Sequence, residues 1–353
     1  MSMIAAVLVF GLIVLIHEFG HFIVAKKCGI GVIEFSIGMG PRIWSVQKGE
    51  TRYSLKVLPF GGSCMMLGED ENEKDPKAFN NKPVWARIAV VAAGPIFNFI
   101  LAFVLGIVIV CRVGYDAPEL VDVQEGFPAQ EQGMQAGDII TRLNGEPVVV
   151  YRDITLYRLL HPTETVNVEY VRPSEDGKAM EKRTAVITPK YSEESGSYML
   201  GIVVSGYYRP VSGLGEILKY GAYEGIYCIK TALKSLTMMF RGQVGMDDMA
   251  GPVRMVSIID DTVKETIPYG IETMILTLMN LCVLLSANLG VMNLLPIPAL
   301  DGGRLVFLII EGVRGKPIDK EKEGMVHLAG MAVLMGLMIV VLFNDISILF
   351  FKK

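Results

Sequence analysis

The sequence predicts a polytopic α-helical membrane protein with four transmembrane spans, a β-rich segment behind the first span and one α+β domain outside the membrane. Three observations carry this. The chain has 353 residues, 51% hydrophobic and 20% charged, with a mean hydropathy of +0.43. That apolar share is close to that of soluble domains, but here it falls in a few long blocks near the two ends. Lys and Arg gather in particular connections between those blocks, and the long middle stretch is polar and rich in turn residues. A net charge of −4 excludes the basic footprint of a nucleic-acid binder. The same composition excludes a disordered chain.

The spans are expected at 1–25, 88–112, 273–313 and 324–344, each offering the roughly 20 apolar residues that a bilayer core requires. The first has no basic region before it and no small-residue cleavage site after it. Lys26 and Lys27 follow instead, so it is a retained span and not a signal peptide. The third block continues, with breaks, from about Met274 to Val313. Between residues 25 and 87 there are ten Lys/Arg and seven Asp/Glu; between 112 and 272 there are sixteen and twenty-three. Arg314, Lys316, Lys320 and Lys322 follow the third block. The positive-inside rule therefore places 26–87 and the 314–323 connection in the cytoplasm, with the long middle segment and both termini outside.

Within 26–87, Ile33, Phe35 and Ile37 alternate with polar or small residues, as do Tyr53, Leu55 and Val57, which reads as strand. Gly38-Met39-Gly40-Pro41 and Phe60-Gly61-Gly62 are turn signals, and Glu69 to Lys82 is a charged loop. Residues 116–205 form the outer domain. Gly133 to Ile140 leads into Leu143-Asn144-Gly145-Glu146-Pro147, a Gly turn, a strand and an Asn-Gly turn. With a helix at 153–160 and further strands, this order resembles a bacterial PDZ domain. In the linker at 206–272, Leu214, Leu218, Ala222, Ile226, Ile229 and Leu233 recur at helical spacing. That helix packs on the outer domain or lies on the membrane surface. The five cysteines have no metal or disulfide spacing.

Chemistry concentrates in Ile16-His17-Glu18-Phe19-Gly20-His21. His17 and His21 are i and i+4 on a helix, so both imidazoles project from one face and can chelate one metal. Glu18 sits next to them, placed to act as a general base on water. This is the H-E-x-x-H spacing of zinc peptidases. Its position inside an apolar helix sharpens the reading, because ionisable groups in a span are costly and a metal compensates them. A span that merely ends early would make the motif interfacial. Against that, Lys26 lies nine residues past His17, roughly 13 Å along a helix.

Two histidines leave zinc short of a protein ligand. His161 belongs to the outer domain, and His327 opens the fourth span. Asp301 is the better candidate. It is a carboxylate at a comparable depth, in Asn293-Leu294-Leu295-Pro296-Ile297-Pro298-Ala299-Leu300-Asp301-Gly302-Gly303. Irregular backbone at membrane depth is tolerated only inside protein or at a watery cavity. Asn293 either satisfies broken backbone or holds substrate backbone.

These two motifs resemble the signatures of the site-2 protease family of intramembrane zinc metalloproteases, peptidase family M50, in its RseP-type branch. Phe35-Ser36-Ile37-Gly38-Met39-Gly40-Pro41, Phe60-Gly61-Gly62, Ala93-Gly94-Pro95 with Asn98-Phe99, the PDZ-like domain and Gly251-Pro252-Val253 match in the same order. The resemblance implies one Zn2+ per chain on His17, His21 and Asp301, with Glu18 activating water. It implies a membrane-associated β-hairpin at 31–67 that holds unwound substrate, with Gly38, Gly40 and Asn293 positioning it. It further implies single-span membrane proteins as substrates, an earlier cut by a site-1-type protease, and the cytoplasmic (inner) membrane as the location, the active site nearer its cytoplasmic face. Two features depart from the pattern: there is one PDZ-like domain where some members have two, and Arg254 stands where a smaller residue is usual. A silent scaffold on the same fold would not need Glu18. A metal transporter would show repeated halves or more acidic residues in its spans.

Overall fold

The computed structural model describes residues 2–69, 73–174, 179–204, 208–243, 245 and 250–351. The expected loop at 69–82, the end of the PDZ-like segment and the 206–272 linker each lie partly outside the described residues. The chain divides into two compact units, Met1–Gly106 with Glu224–Lys353, and Ile107–Tyr223.

Four helices are long and apolar enough to cross a membrane: Met3–Lys27, Val84–Val113, Ile271–Leu294 and Glu321–Ile348. The first lies in helix α1 (Ser2–Lys27). It leads into a hairpin of β1 (Val32–Lys48) and β2 (Thr51–Met66). The second is α2 (Val84–Val113), which starts directly after Pro83 and carries Pro95 in its interior.

The hairpin turn lies at Gly49, where φ is +63°. The two glycine clusters that read as turns lie inside the long β1 and β2 assignments. Gly38, Gly40 and Gly61 all take positive φ, and the ladder shifts register around them. The pairs Phe35–Tyr53 and Ile37–Leu55 advance together while Phe35–Cys64 and Ile37–Gly62 run oppositely, so the two-stranded ribbon doubles back at both clusters, with glycine supplying the positive φ. The first half of β1 is thus flanked on both sides by the folded-back β2. Its stretch 62–66 is an outer strand with no second pairing partner among the described residues.

The second unit contains β3 (Tyr115–Asp116), β4 (Leu120–Val123), α3 (Pro128–Glu131), β5 (Ile139–Leu143), β6 (Glu146–Pro147), α4 (Tyr151–Leu160), β7 (Val166–Pro173) and β8 (Met180–Ile187). Short strands β9 (Lys190–Ser192), β10 (Ser197–Met199), β11 (Ile202–Val204) and β12 (Tyr208–Arg209) follow. Strands β6-β5-β7-β8 form one antiparallel sheet, and β11 pairs with β4. Alternating residues Val166, Val168 and Tyr170 of β7 join Ile140, Leu143 and Ile187 in a dry core. Asp138 is fully buried but is held by Arg172, at 2.6 and 2.7 Å, as a buried charge requires.

The chain continues through α5 (Leu214–Phe240), α6 (Pro252–Thr266), α7 (Ile271–Leu294), α8 (Asp301–Arg314) and α9 (Lys320–Phe351). The third apolar block is therefore two helices. Helix α7 is long enough to span; α8, with 14 residues, rises only about 21 Å. The Pro296-Ile297-Pro298 break separates them, because proline removes backbone donors and restrains the preceding residue away from helix. Two apolar clusters hold this unit. One joins α1, the hairpin, α2 and α8 through Ala25, Val32, Met66, Val90 and Leu308. The other joins α1, α2, α6 and α7 through Val9, Ile13, Leu101, Ile259 and Cys282.

Candidate active site

Helix α1 presents His17 and His21 on one face, both buried. That face packs on α2 where α2 carries Gly94. A Cβ on Gly94 would fall 2.3 Å from His21 Nε2 and 2.8 Å from His17 Cε1. The reverse contact is as tight, since a Cβ on Gly20 would lie 2.5 Å from the Ala93 carbonyl oxygen. Absence of side chains at both positions lets the two backbones meet and brings the imidazoles against α2.

Asp301, the first residue of α8, reaches the same point. Its Oδ2 lies 3.2 Å from His17 Nε2 and 3.5 Å from His21 Nε2, and the two Nε2 atoms are 3.3 Å apart. Zinc–ligand bonds of about 2.0–2.1 Å in a tetrahedron require ligand atoms about 3.3–3.4 Å apart. The triangle's edges of 3.2, 3.5 and 3.3 Å lie within about 0.1 Å of that range. Asp301 Oδ2 is also buried without a hydrogen-bond partner, as an atom that faces a cation would be. On both counts the donor set fits zinc.

The outer nitrogens of the two rings are also held. His21 Nδ1 lies 2.9 Å from the Val90 carbonyl oxygen. A carbonyl only accepts, so Nδ1 carries the proton and Nε2 offers its lone pair inward. His17 Nδ1 lies 3.1 Å from the side-chain amide of fully buried Asn98, whose Oδ1 has no partner. An amide has two orientations. The one that turns Oδ1 to His17 satisfies that orphan and leaves His17 Nε2 free as a ligand. Ser286 of α7 donates to the Asn98 carbonyl oxygen at 2.8 Å, tying this part of α2 to α7.

Glu18 is half-buried and lines a cavity of about 230 Å3 with His17, His21, Asp301 and the outer strand residues Gly62, Ser63 and Cys64. A Cβ on Gly62 would lie 3.1 Å from Glu18 Cγ, so the strand passes directly over this carboxylate. Arg304 and Glu69, paired with each other, line the same cavity.

The structure brings together His17, Glu18, His21 and Asp301. Asn293, Gly38 and Gly40 are not among the residues lining this cavity. Gly38 has a local reason to be glycine: φ is +87°, and a Cβ would sit 2.4 Å from the Leu58 carbonyl oxygen. His327 lies outside the triangle and accepts the Ala299 N–H at 3.0 Å on Nδ1. Reading the motifs did not single out Asn98, Gly94 or the Val90 carbonyl as neighbours of the metal ligands. The signal for the first two was the Ala93-Gly94-Pro95 and Asn98-Phe99 match to the family pattern, which carried no role for either residue.

The sequence profile of peptidase family M50 matches residues 5–337. The chain belongs to peptidase family M50. Among its relatives, the regulator of sigma-W protease RasP of Bacillus subtilis is 33% identical over 433 residues, covering 99% of both chains. Zinc metalloprotease RasP of Bacillus licheniformis is 34% identical over 433 residues, again covering 99% of both. A chain of Clostridium acetobutylicum, provisionally named a zinc metalloprotease, is 37% identical over 345 residues, covering 98% of this chain and 97% of its own. The PDZ domain of an SdrC-like protein from Listeria monocytogenes matches 26% of this chain and 92% of its own length, at 22% identity and a TM-score of 0.22. This M50 chain is thus a metallopeptidase with RasP-type relatives, and their names imply zinc as its metal.

Proposed function

We propose that this M50 peptidase hydrolyses peptide bonds within or near the transmembrane segment of single-span membrane proteins. The observation that carries this reading is the convergence of His17, His21 and Asp301 on helices apolar enough to cross a membrane, with Glu18 beside them under an unpaired strand. His17, His21 and Asp301 would hold one zinc ion per chain. When bound, zinc supplies Lewis-acid polarisation of the scissile carbonyl and acidifies water. Glu18 accepts the water proton on its carboxylate and passes it to the leaving amine.

A substrate helix hides its amides in its own hydrogen bonds and must unwind to be cut. Strand 62–66 offers backbone donors and acceptors on its open edge, over Glu18, where an extended substrate would add as a strand. Asn293, at the end of α7, and Gly38 and Gly40, at the bends of β1, remain proposed positioning residues on the paths by which substrate enters. The loop charges support a site nearer the cytoplasmic face of the cell membrane and the 116–205 domain on the outer side. There the domain, read as PDZ-like, would screen out substrates not yet trimmed by a first protease. Anti-sigma factors and signal-peptide remnants suit this chemistry, each being a single apolar span with a short outer stub.

The deciding experiment is cleavage in vesicles. The purified chain with zinc should cut a trimmed single-span substrate within its apolar segment, and a chelator should stop it reversibly. A zinc-loaded chain that cuts only soluble peptides would overturn the reading.

A further inference from the structure

We propose that His327 is a positioning residue for the metal site, holding the turn that delivers Asp301. This rests on the reading of Asp301 as a ligand.

The break between α7 and α8 closes as a four-residue turn, Ile297-Pro298-Ala299-Leu300, with the Leu300 N–H donating to the Ile297 carbonyl oxygen at 3.2 Å. Ala299 has φ +74°. Proline at the second position and positive φ at the third mark a type II turn, whose third position favours glycine or asparagine. An alanine side chain is crowded there. Asn144 is the only other non-glycine residue with positive φ among the described residues. The turn therefore depends on a contact from outside itself.

Helix α9 supplies that contact. The Ala299 N–H, which plays no part in closing the turn, donates to His327 Nδ1 at 3.0 Å. A backbone N–H can only donate, so His327 Nδ1 is the lone-pair nitrogen and Nε2 carries the proton. Nε2 faces Glu323, 3.8 Å away. The Phe307 ring lies 5.5 Å from the imidazole, centroid to centroid. Further along α9, Gly330 lies so close that a Cβ there would come within 2.4 Å of Pro298 Cβ. One helix thus holds both central residues of the turn.

Leu300 is the N-cap of α8 and Asp301 its first residue. Rotation at Ala299 is therefore passed directly to the carboxylate. Little slack exists on the other side, because Cβ atoms on Gly302 and Gly303 would lie 2.1 and 2.4 Å from the Leu295 and Ile297 carbonyl oxygens. Glycine at 299 would adopt the same φ without strain. Alanine makes the turn conditional on His327.

The test uses the full chain in detergent. Zinc affinity is read by chelator competition, and amide exchange is read in the peptide covering 295–301. His327→Ala should weaken zinc roughly 10–100-fold, the usual range when a group supporting a ligand is lost, and should speed exchange in that peptide. Adding Ala299→Gly should recover most of the zinc affinity, because glycine holds the turn without the histidine. Wild-type zinc affinity in His327→Ala overturns the proposal. So does a double variant as weak as the single one, which would assign His327 a packing or ligating role. If His327→Ala does not fold, Ala299→Val leaves the histidine in place and penalises only the turn. It should then weaken zinc, and wild-type affinity in that variant sinks the idea. Exchange is also measured in the chelator-treated chain, so a failure of the zinc reading is seen separately from a failure of the turn.

Discussion

At the residue scale, two substitutions separate chemistry from geometry. Glu18→Gln keeps the volume and leaves His17, His21 and Asp301 in place. It should retain zinc and lose about 10²–10⁴-fold in cleavage rate, the range for removing a general acid–base group. Asp301→Ala or His17→Ala should lose both metal and activity. Metal analysis of the purified variants alongside a cleavage assay decides, and wild-type activity in Glu18→Gln would remove the mechanism. Gly94→Ala is a sharper probe because it touches no ligand chemically. Its Cβ would lie 2.3 Å from His21 Nε2 and 2.6 Å from His21 Cε1, inside any real contact distance. Zinc affinity should fall at least tenfold while the helical content by circular dichroism stays unchanged. Undiminished zinc binding would show that α1 and α2 can separate at this point.

At the scale of elements, two ion-bearing contacts hold parts that neither propensity nor pattern would place. Asp345, fully buried within the apolar helix α9, caps the start of α6. Its Oδ1 accepts the Gly251 N–H at 3.0 Å, and its Oδ2 accepts the Val253 and Arg254 N–H groups at 3.1 and 3.0 Å. A helix N-terminus favours a carboxylate, and Gly251 is required because a Cβ there would meet Asp345 Oδ2 at 2.6 Å. Asp345→Ala should cost about 1–3 kcal/mol, the range for stranding buried donors of this kind, seen as a lower unfolding midpoint in detergent. Asp345→Asn, which keeps one acceptor oxygen, should lose less. Equal midpoints for all three chains would mean that α6 is held by packing alone. In the hairpin, Glu34 accepts two bonds from Arg42 at 2.7 and 3.0 Å and one from Ser54 at 2.6 Å. The Arg42 guanidinium holds its carboxyl down to about 2, and Ser54 and Lys56 act in the same direction. A carboxyl lowered on folding stabilises the hairpin above its unfolded value, near 4.5, and that contribution is lost as pH falls towards 2. Amide exchange in 32–66 should therefore accelerate between pH 5 and pH 3 in the wild type, beyond the intrinsic pH effect. In Glu34→Gln the excess should be absent. An equal excess in both chains would assign the acid response to other groups.

For the whole molecule, the expected topology rests on loop charges and is open to direct labelling. With native cysteines replaced, a cysteine at Lys77 should resist an impermeant thiol reagent in intact cells, and one at Glu193, between β9 and β10, should react. The opposite pattern would invert the chain in the membrane. Removing 118–205 should leave cleavage of a trimmed substrate intact and raise cleavage of an untrimmed one if the domain screens. A drop for the trimmed substrate would mean that it delivers substrates instead. Much of this architecture is legible in the sequence. Apolar blocks of bilayer length marked the spans, since nothing in a bilayer competes with hydropathy. His17-Glu18-x-x-His21 placed a chelating face on a helix through the 3.6-residue period, and Pro296 and Pro298 marked the break before Asp301. The reversals at Gly38-Met39-Gly40-Pro41 and Phe60-Gly61-Gly62 were legible as turns, whereas the one at Gly49 was not singled out, and neither pattern told that the ribbon would double over on itself. Helix α6 was not seen; the carboxylate that caps its start lies 92 residues away from Val253, where no local pattern points. By itself the sequence determined which groups could carry the chemistry and which apolar helices hold them, because local periodicity and hydropathy depend only on neighbours along the chain. Only the tertiary structure decided that α1, α2 and α8 meet within one coordination radius, that Gly94 and Asn98 frame the histidines, and that His327 serves the turn and not the triangle. Those outcomes depend on close approach between elements distant in sequence, and no local pattern records it.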